Sequence, residues 1–390
     1  MGGLPELKEI HLKPPEPPLE VEVHLDREAA LEMRMHGSLL ILGLAGPELT
    51  AVEVALIREL QPVGFILGSR NLLAPEQTRR FTDTLRELSQ RQPLVAITQE
   101  GGRAAPTAGI APVVPAAVAL AAHADAKATG AAGLLTGELL RMLGVNFNLA
   151  PSLDLDPRSL SLDGRPGPGW GCDPQRVIDH AGQWNRWLRK RGIATCAKYF
   201  PAGGRATADV PHELPNEAAT LAELIRRDLV PYTALMPELD AILVGHGVFS
   251  ALDPELPASL SPRLIRGLLR NQLGFDHGLV VPDDLESQAI TRRYGLAAAA
   301  RLALEAGNDL VLIASDPSAA REAATATAAL PHLILAEAWE RVERLRDKLH
   351  WPLPWSDAKW ATTCGHLAVL AAEVPEVLNL NPRPRRRSNP

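Results

Sequence analysis

Eight short, nearly continuous apolar runs set the strongest limit on what this chain can fold into. They are SLLILGL (38–44), VGFILG (63–68), PLVAITQ (93–99), VNFNLAP (145–151), IATCAKYF (193–200), AILVGHG (241–247), HGLVVPD (277–283) and DLVLIAS (309–315). A strand with one wet face alternates apolar and polar residues, whereas a strand covered on both faces reads as these do. Helical patterns lie between them, among them PEQTRRFTDTLRELSQR, PQRVIDHAGQWNRWLRKR and NEAATLAELIRRDLVPY. Strands alternating with helices predict a parallel α/β sheet. Eight of them fit a single-domain (β/α)8 TIM barrel better than an open doubly wound sheet. No GxGxxG follows the first run, which weakens a dinucleotide-binding reading.

The flanks set the boundaries. Residues 1–27 are Pro-rich and acidic and read as an extended arm without the apolar core of a signal peptide. The barrel is expected over 28–348, with 316–348 as its closing helix. Residues 349–380, with WPLPWSDAKW and a helix near 361–373, read as a helical extension packed on the outside. Residues 381–390 hold RPRRRSNP, a flexible basic tail. A net charge of −6 argues against nucleic acid as the main partner. No run reaches the roughly 18 apolar residues of a membrane span. Cys172, Cys196 and Cys364 are far apart and lack metal or disulfide spacing, which favours a reducing, cytoplasmic setting.

In such barrels chemistry gathers where strands end on the C-terminal face. Those ends carry Ser69, Arg70 and Asn71, then Gln99, Glu100 and Arg103, then Asn148 and Asp154. Lys198 ends the fifth run, His246 the sixth, and Asp283 with Asp284 the seventh. Polar residues on one rim suit a ligand the size of a sugar or a phosphate. The eleven histidines show no HExxH or other ligand spacing, so no metal is expected, and Glu100 reads as a turn-fixing residue.

ILGSRN, TQEGGR, NFNLAPSLDLD, KYFPAGG, PELPASLS and LLRNQLGFDHGLVVPDDL, in that order, resemble glycoside hydrolase family 3. The spacing is most similar to its single-domain bacterial β-N-acetylglucosaminidase branch, over about residues 36–315. The resemblance implies a retaining, exo-acting glycosidase that needs no cofactor and takes a small glycoside or cell-wall-derived sugar. Asp283 matches the nucleophile that attacks the anomeric carbon. Otherwise the Asp283-Asp284 pair caps the following helix. The acid/base of the branch is an Asp–Ser–His loop, in which a titrating His protonates the leaving oxygen. Here the loop reads Asp209-Val210-Pro211-His212, with Pro211 in the histidine's place and His212 one residue later. A loop absorbs such a shift, although Pro211 fixes its own φ and restricts Val210. His212 is thus either the acid/base, oriented by Asp209, or an exposed loop histidine without a role.

The resemblance also names sugar-holding positions. Lys198 and Arg103 match, with Lys198 either donating to hydroxyls or held in a salt bridge inside the barrel mouth. Thr98 stands where the family has a hydroxyl-binding carboxylate, Tyr199 where it has His, and Ala202-Gly203-Gly204 where it has Gly-His-Gly. Pro168 stands in an Arg position, and nearby Arg165 is the candidate substitute. His246 and Asn148 are retained rim residues of structural or supporting character. Two alternatives follow from these departures. One is a catalytically degenerate barrel that binds a sugar or a partner protein. The other, more remote, is a Lys198-dependent aldolase.

Overall fold

The structure is a computed structural model and describes residues 37–102, 104–155, 169–203 and 213–374. Each of the eight apolar runs contains a strand: β1 (Ser38–Gly43), β2 (Pro62–Leu67), β3 (Leu94–Ile97), β4 (Phe147–Asn148), β5 (Ala194–Phe200), β6 (Ala241–Val244), β7 (Leu279–Pro282) and β8 (Val311–Ile313). They form one parallel sheet in the order β8-β1-β2-β3-β4-β5-β6-β7. Two backbone bonds join its ends, from Asp309 N–H to the Val280 carbonyl at 2.8 Å and from Leu285 N–H to the Leu312 carbonyl at 3.1 Å. The strands are buried on both faces, with Leu40, Ile41, Leu42, Val95, Ala96, Val280 and Val311 wholly inaccessible. That double burial is why the runs do not alternate.

Five of the described α-helices begin where a short polar side chain takes up a free N–H group. Thr50 and Glu53 form a reciprocal capping box that opens the helix Ala51–Leu60. The helix Ala126–Met142 is packed closely against Pro174–Lys190, because a Cβ at Gly133 would lie only 2.5 Å from the Trp184 carbonyl oxygen. The C-terminal helix Asp357–Glu373, capped by Ser356, lies against Ala126–Met142, and Thr363 donates to Glu138 across the contact at 3.4 Å. Arg79 and Arg141 hold the segment before it by donating to the Leu353 and Trp351 carbonyls.

Two helical expectations are corrected. Residues 316–348 are not one helix but a 3₁₀ turn (Pro317–Ala319) and two α-helices, Ala320–Ala328 and His332–Arg346. Pro331 has no N–H to continue the first helix and so separates them. NEAATLAELIRRDLVPY also divides. Asn216–Glu217 is a two-residue strand paired in parallel with Val248–Phe249. Thr220 and Glu223 then cap the helix Leu221–Arg226, and Pro231 sits in the first turn of Val230–Leu235.

At the N-terminal end of the barrel, polar side chains seal alternate strand junctions. The Asn146 carboxamide accepts from Val95 N–H at 2.8 Å, between β3 and β4. Asp240 accepts from Thr195 N–H at 3.1 Å, between β5 and β6, and holds Arg189 by two bonds. Asp309 accepts from Val280 N–H at 2.7 Å, between β7 and β8. In each case the donor is the second residue of the odd-numbered strand. Asp309 is fully buried and also holds Arg270 at 2.6 Å and Arg341 at 2.9 Å. Burial pulls the Arg270 guanidinium below its ordinary pKa, opposed by the Asp309 charge. Asp309→Ala would leave a buried cation and a strand N–H without their acceptor. It is expected to cost about 3–5 kcal/mol, measured by urea denaturation. A cost near the surface value of about 0.5 kcal/mol would show that closure does not depend on this carboxylate.

Candidate active site

A cavity of about 300 Å³ opens at the C-terminal ends of β5, β6 and β7. Its lining includes Tyr199 and Phe200 from β5, His246 after β6, and Asp283 and Ser287 after β7. Glu213, Glu217 and Phe249 complete one wall. Glu217 and Phe249 are held there by the two-residue parallel pairing of Asn216–Glu217 with Val248–Phe249. Such a pairing is too short to show in apolar periodicity, so the sequence did not mark Glu213 or Glu217 as site residues.

The adjacent acids Asp283 and Asp284 divide two tasks. Asp284 Oδ1 accepts from Glu286 N–H and from Ala314 N–H, both at 3.1 Å, and so binds the end of β7 to the segment after β8. Burial raises the Asp284 pKa, opposed by these two backbone donors. Asp283 donates its own N–H to the Val244 carbonyl, and its Oδ1 accepts from Asp284 N–H at 2.9 Å. Its Oδ2 accepts no hydrogen bond among the described residues, and the side chain lines the cavity. Neither acid caps the next helix, which begins at Gln288 after Ser287. Asp284 is therefore committed to the turn, while Asp283 keeps one carboxylate oxygen without a hydrogen bond among the described residues.

His246 supports the same turn from across the cavity. Its Nε2–H donates to the Asp284 carbonyl at 2.9 Å, which leaves Nδ1 to accept from the Ser259 hydroxyl at 2.7 Å. With both ring nitrogens engaged, the imidazole fixes the loop beside Asp283.

Lys198 is buried, and its ammonium lies 2.6 Å from the Glu100 carboxylate. Burial opposes the charge, but Glu100, Tyr199 and Asp283 outweigh it and hold the Lys198 pKa above its ordinary value. Glu100 thus does more than fix a turn: it is the counter-ion of the barrel mouth. Lys198 also lies 5.1 Å from the centre of the Tyr199 ring. Lys198 pulls the Tyr199 pKa down, while burial, Asp283 and Glu100 push it up, to about 12. At neutral pH the phenol facing the cavity is therefore protonated and can donate or accept a hydrogen bond.

Much of the rim's polarity is consumed by the backbone. Arg70 donates to the Leu44 and Ala314 carbonyls, and Asn71 to those of Leu44 and Gly46. Asn148 bonds both backbone groups of Gln99, and the Gln99 side chain accepts from Thr107. Thr98 sits half-buried just past β3. Arg103, Arg165, Asp209 and His212 lie outside the described residues. Among the described residues no group of three or more His, Cys, Asp or Glu side chains is placed to hold a metal.

A parallel eight-stranded barrel with Asp283, Glu213 and Glu217 around one small cavity at its C-terminal end fits a barrel enzyme for a small substrate. Residues 27–345 match the family model described as "Glycosyl hydrolase family 3 N terminal domain". A Beta-hexosaminidase of Pseudomonas aeruginosa is 33% identical over 316 residues, which cover 80% of this chain and 92% of that protein. A family 3 β-N-acetylglucosaminidase structure from Paenibacillus is similar at 29% identity and a TM-score of 0.79, over 87% of this chain and 68% of that one. NagZ from Neisseria gonorrhoeae, solved with N-trifluoroacetyl-D-glucosamine, is similar at 25% identity and a TM-score of 0.73, over 86% and 98%. The chain belongs to glycosyl hydrolase family 3 and is a glycoside hydrolase. The comparisons favour that reading over the degenerate-barrel one.

The Lys198–Glu100 pair makes its own prediction. Glu100→Leu leaves a buried ammonium without its counter-ion and is expected to cost about 3–5 kcal/mol. Adding Lys198→Met should recover most of that loss. Thermal unfolding of the two single variants and the double variant measures the coupling, and additive losses would refute it.

Proposed function

We propose that this chain removes single terminal β-linked N-acetylhexosamine residues from small glycosides, with retention of configuration. Asp283 attacks the anomeric carbon through Oδ2, and a glycosyl-enzyme forms as the aglycone leaves. His212, oriented by Asp209, gives its proton to the leaving oxygen. It then takes a proton from the water that releases the sugar and frees the Asp283 carboxylate. Thr98, Arg103, Arg165 and Lys198 are the proposed sugar-holding groups, and Tyr199 adds a protonated hydroxyl. His246 borders the sugar while holding the turn under the nucleophile.

The observation that carries this reading is the division of labour between the two acids. A carboxylate that merely stabilised the turn would be bonded as Asp284 is, whereas Asp283 presents an oxygen to the cavity. The cavity is at the small end of the range for ligand sites and suits one sugar ring rather than a chain. The printed names of the relatives, and the amino sugar bound in the Neisseria structure, supply the choice of glycone.

The test is hydrolysis of a panel of nitrophenyl β-glycosides. The N-acetylglucosaminide is expected to be the preferred member. Asp283→Ala should lower its turnover by several orders of magnitude while leaving the folded barrel intact by circular dichroism. A fluorosugar should label the wild-type protein at Asp283, as read by peptide mass. Activity that survives Asp283→Ala would remove Asp283 from the mechanism. His212→Ala should slow glycosides with poor leaving groups more than nitrophenyl ones, as loss of a general acid requires.

A further inference from the structure

The segment PELPASLS (254–261) contributes nothing to the lining of the Asp283 cavity, yet it holds the His246 imidazole that does. Its 3₁₀ turn, Ala258–Leu260, is wholly buried. Ala258 N–H donates to the Gly247 carbonyl at 2.8 Å, and Ser259 N–H to the Gly245 carbonyl at 3.0 Å. These two bonds grip the chain on either side of His246. The Ser259 hydroxyl then reaches the ring itself, 2.7 Å from Nδ1. Ser259 is in turn held from behind. Asn308, buried just ahead of β8, donates through Nδ2 to the Ser259 carbonyl at 2.8 Å and to the Ala303 carbonyl at 2.6 Å.

On the other side of the ring, Nε2 lies 2.9 Å from the Asp284 carbonyl oxygen. A carbonyl can only accept, so Nε2 carries the proton. In the neutral ring Nδ1 is then an acceptor, and the Ser259 hydroxyl is its donor. This matters for Asp283 because the backbone around it is tied to the end of β6 at two points. Asp283 N–H donates to the Val244 carbonyl at 2.9 Å, and the Asp284 carbonyl accepts from His246. The Asp284 carbonyl also accepts from Ser287 N–H at 3.1 Å, but that bond lies within the turn and does not anchor it to the barrel.

We propose that Ser259 is a positioning residue for the reaction: by keeping His246 in the tautomer that donates to the Asp284 carbonyl, it sets the direction in which the Asp283 carboxylate faces the sugar. The inference rests on Asp283 as the attacking carboxylate. Ser259 is fully buried behind the ring, so its effect on turnover passes through the imidazole.

A double-mutant cycle tests this, read on kcat and KM for the nitrophenyl N-acetylglucosaminide and on the rate at which a fluorosugar labels Asp283. Ser259→Ala is expected to lower kcat and the labelling rate by about ten- to hundredfold, the scale of a misaligned reacting group, with KM nearly unchanged. Ser259→Thr, which keeps the hydroxyl, should recover most of the rate. In the His246→Gln background, Ser259→Ala should cost nothing further. In ¹⁵N spectra of the histidine rings, the signal that His246→Gln removes should show a protonated Nε2 and a bonded Nδ1, and Ser259→Ala should abolish the Nδ1 bond. If Ser259→Ala does not fold, Ser259→Cys keeps the volume with a weaker donor, and its kcat should still fall. An unchanged kcat, a loss confined to KM, or losses that add across the two sites would overturn the proposal and leave the assignment of Asp283 standing. A wild-type protein that turns over substrate with no label on Asp283 overturns that assignment and this inference together.

Discussion

The barrel depends on polar side chains that take up strand N–H groups where the sheet must close on itself. A closed parallel sheet has no edge to leave in water, and its end groups still need partners. Asn146, Asp240 and Asp309 supply them at the N-terminal rim, each to the second residue of the strand before it. Two of the three are carboxylates, and each brings arginine with it. The acids at this end are thus bound into structure, whereas at the opposite end the chain leaves one of them open to a ligand.

The opposite rim shows how a site is made by not using a group for structure. Arg70, Asn71, Gln99, Asn148, Asp284 and His246 all bind backbone or neighbouring side chains and hold the strand ends in place. Asp283 is flanked by them and spends only one oxygen, on its neighbour's N–H. Close by, Lys198 and Glu100 form a buried ion pair. Tyr199 carries a hydroxyl from that pair to the surface. The Asp283 carboxylate is thereby set in a rigid frame.

The fold was legible because double burial writes a strand as an unbroken apolar run, and all eight runs hold a strand. The acids at the end of β7 were legible through a motif that matched Asp283, but motif and spacing could not say how the pair divides between turn and cavity. That distinction lies in the bonds from Glu286 and Ala314, residues one turn and one strand away. Glu213 and Glu217 were missed because their wall rests on a pairing of two residues, shorter than any periodicity. The partnership of Glu100 with Lys198 joins β3 to β5 across almost a hundred residues, and neither position announces the other. The long helices expected at 216–232 and 316–348 failed where a proline or a capping box reset the chain, cues that were present and outweighed by the apolar pattern.

The seals at the N-terminal rim fall on every second junction: β3 with β4, β5 with β6, β7 with β8. At this rim, the interfaces between these pairs show no side-chain acceptor for a strand N–H among the described residues. Three two-stranded modules of the barrel thus have their own internal fastening. A polypeptide divided between β6 and β7 leaves each of these three acceptors with its strand donor, whereas one divided between β4 and β5 parts Glu100 from Lys198. One divided between β5 and β6, or between β7 and β8, parts a buried carboxylate from its strand donor. The places where this barrel tolerates being cut and reassembled are accordingly written in its aspartates rather than in the lengths of its loops.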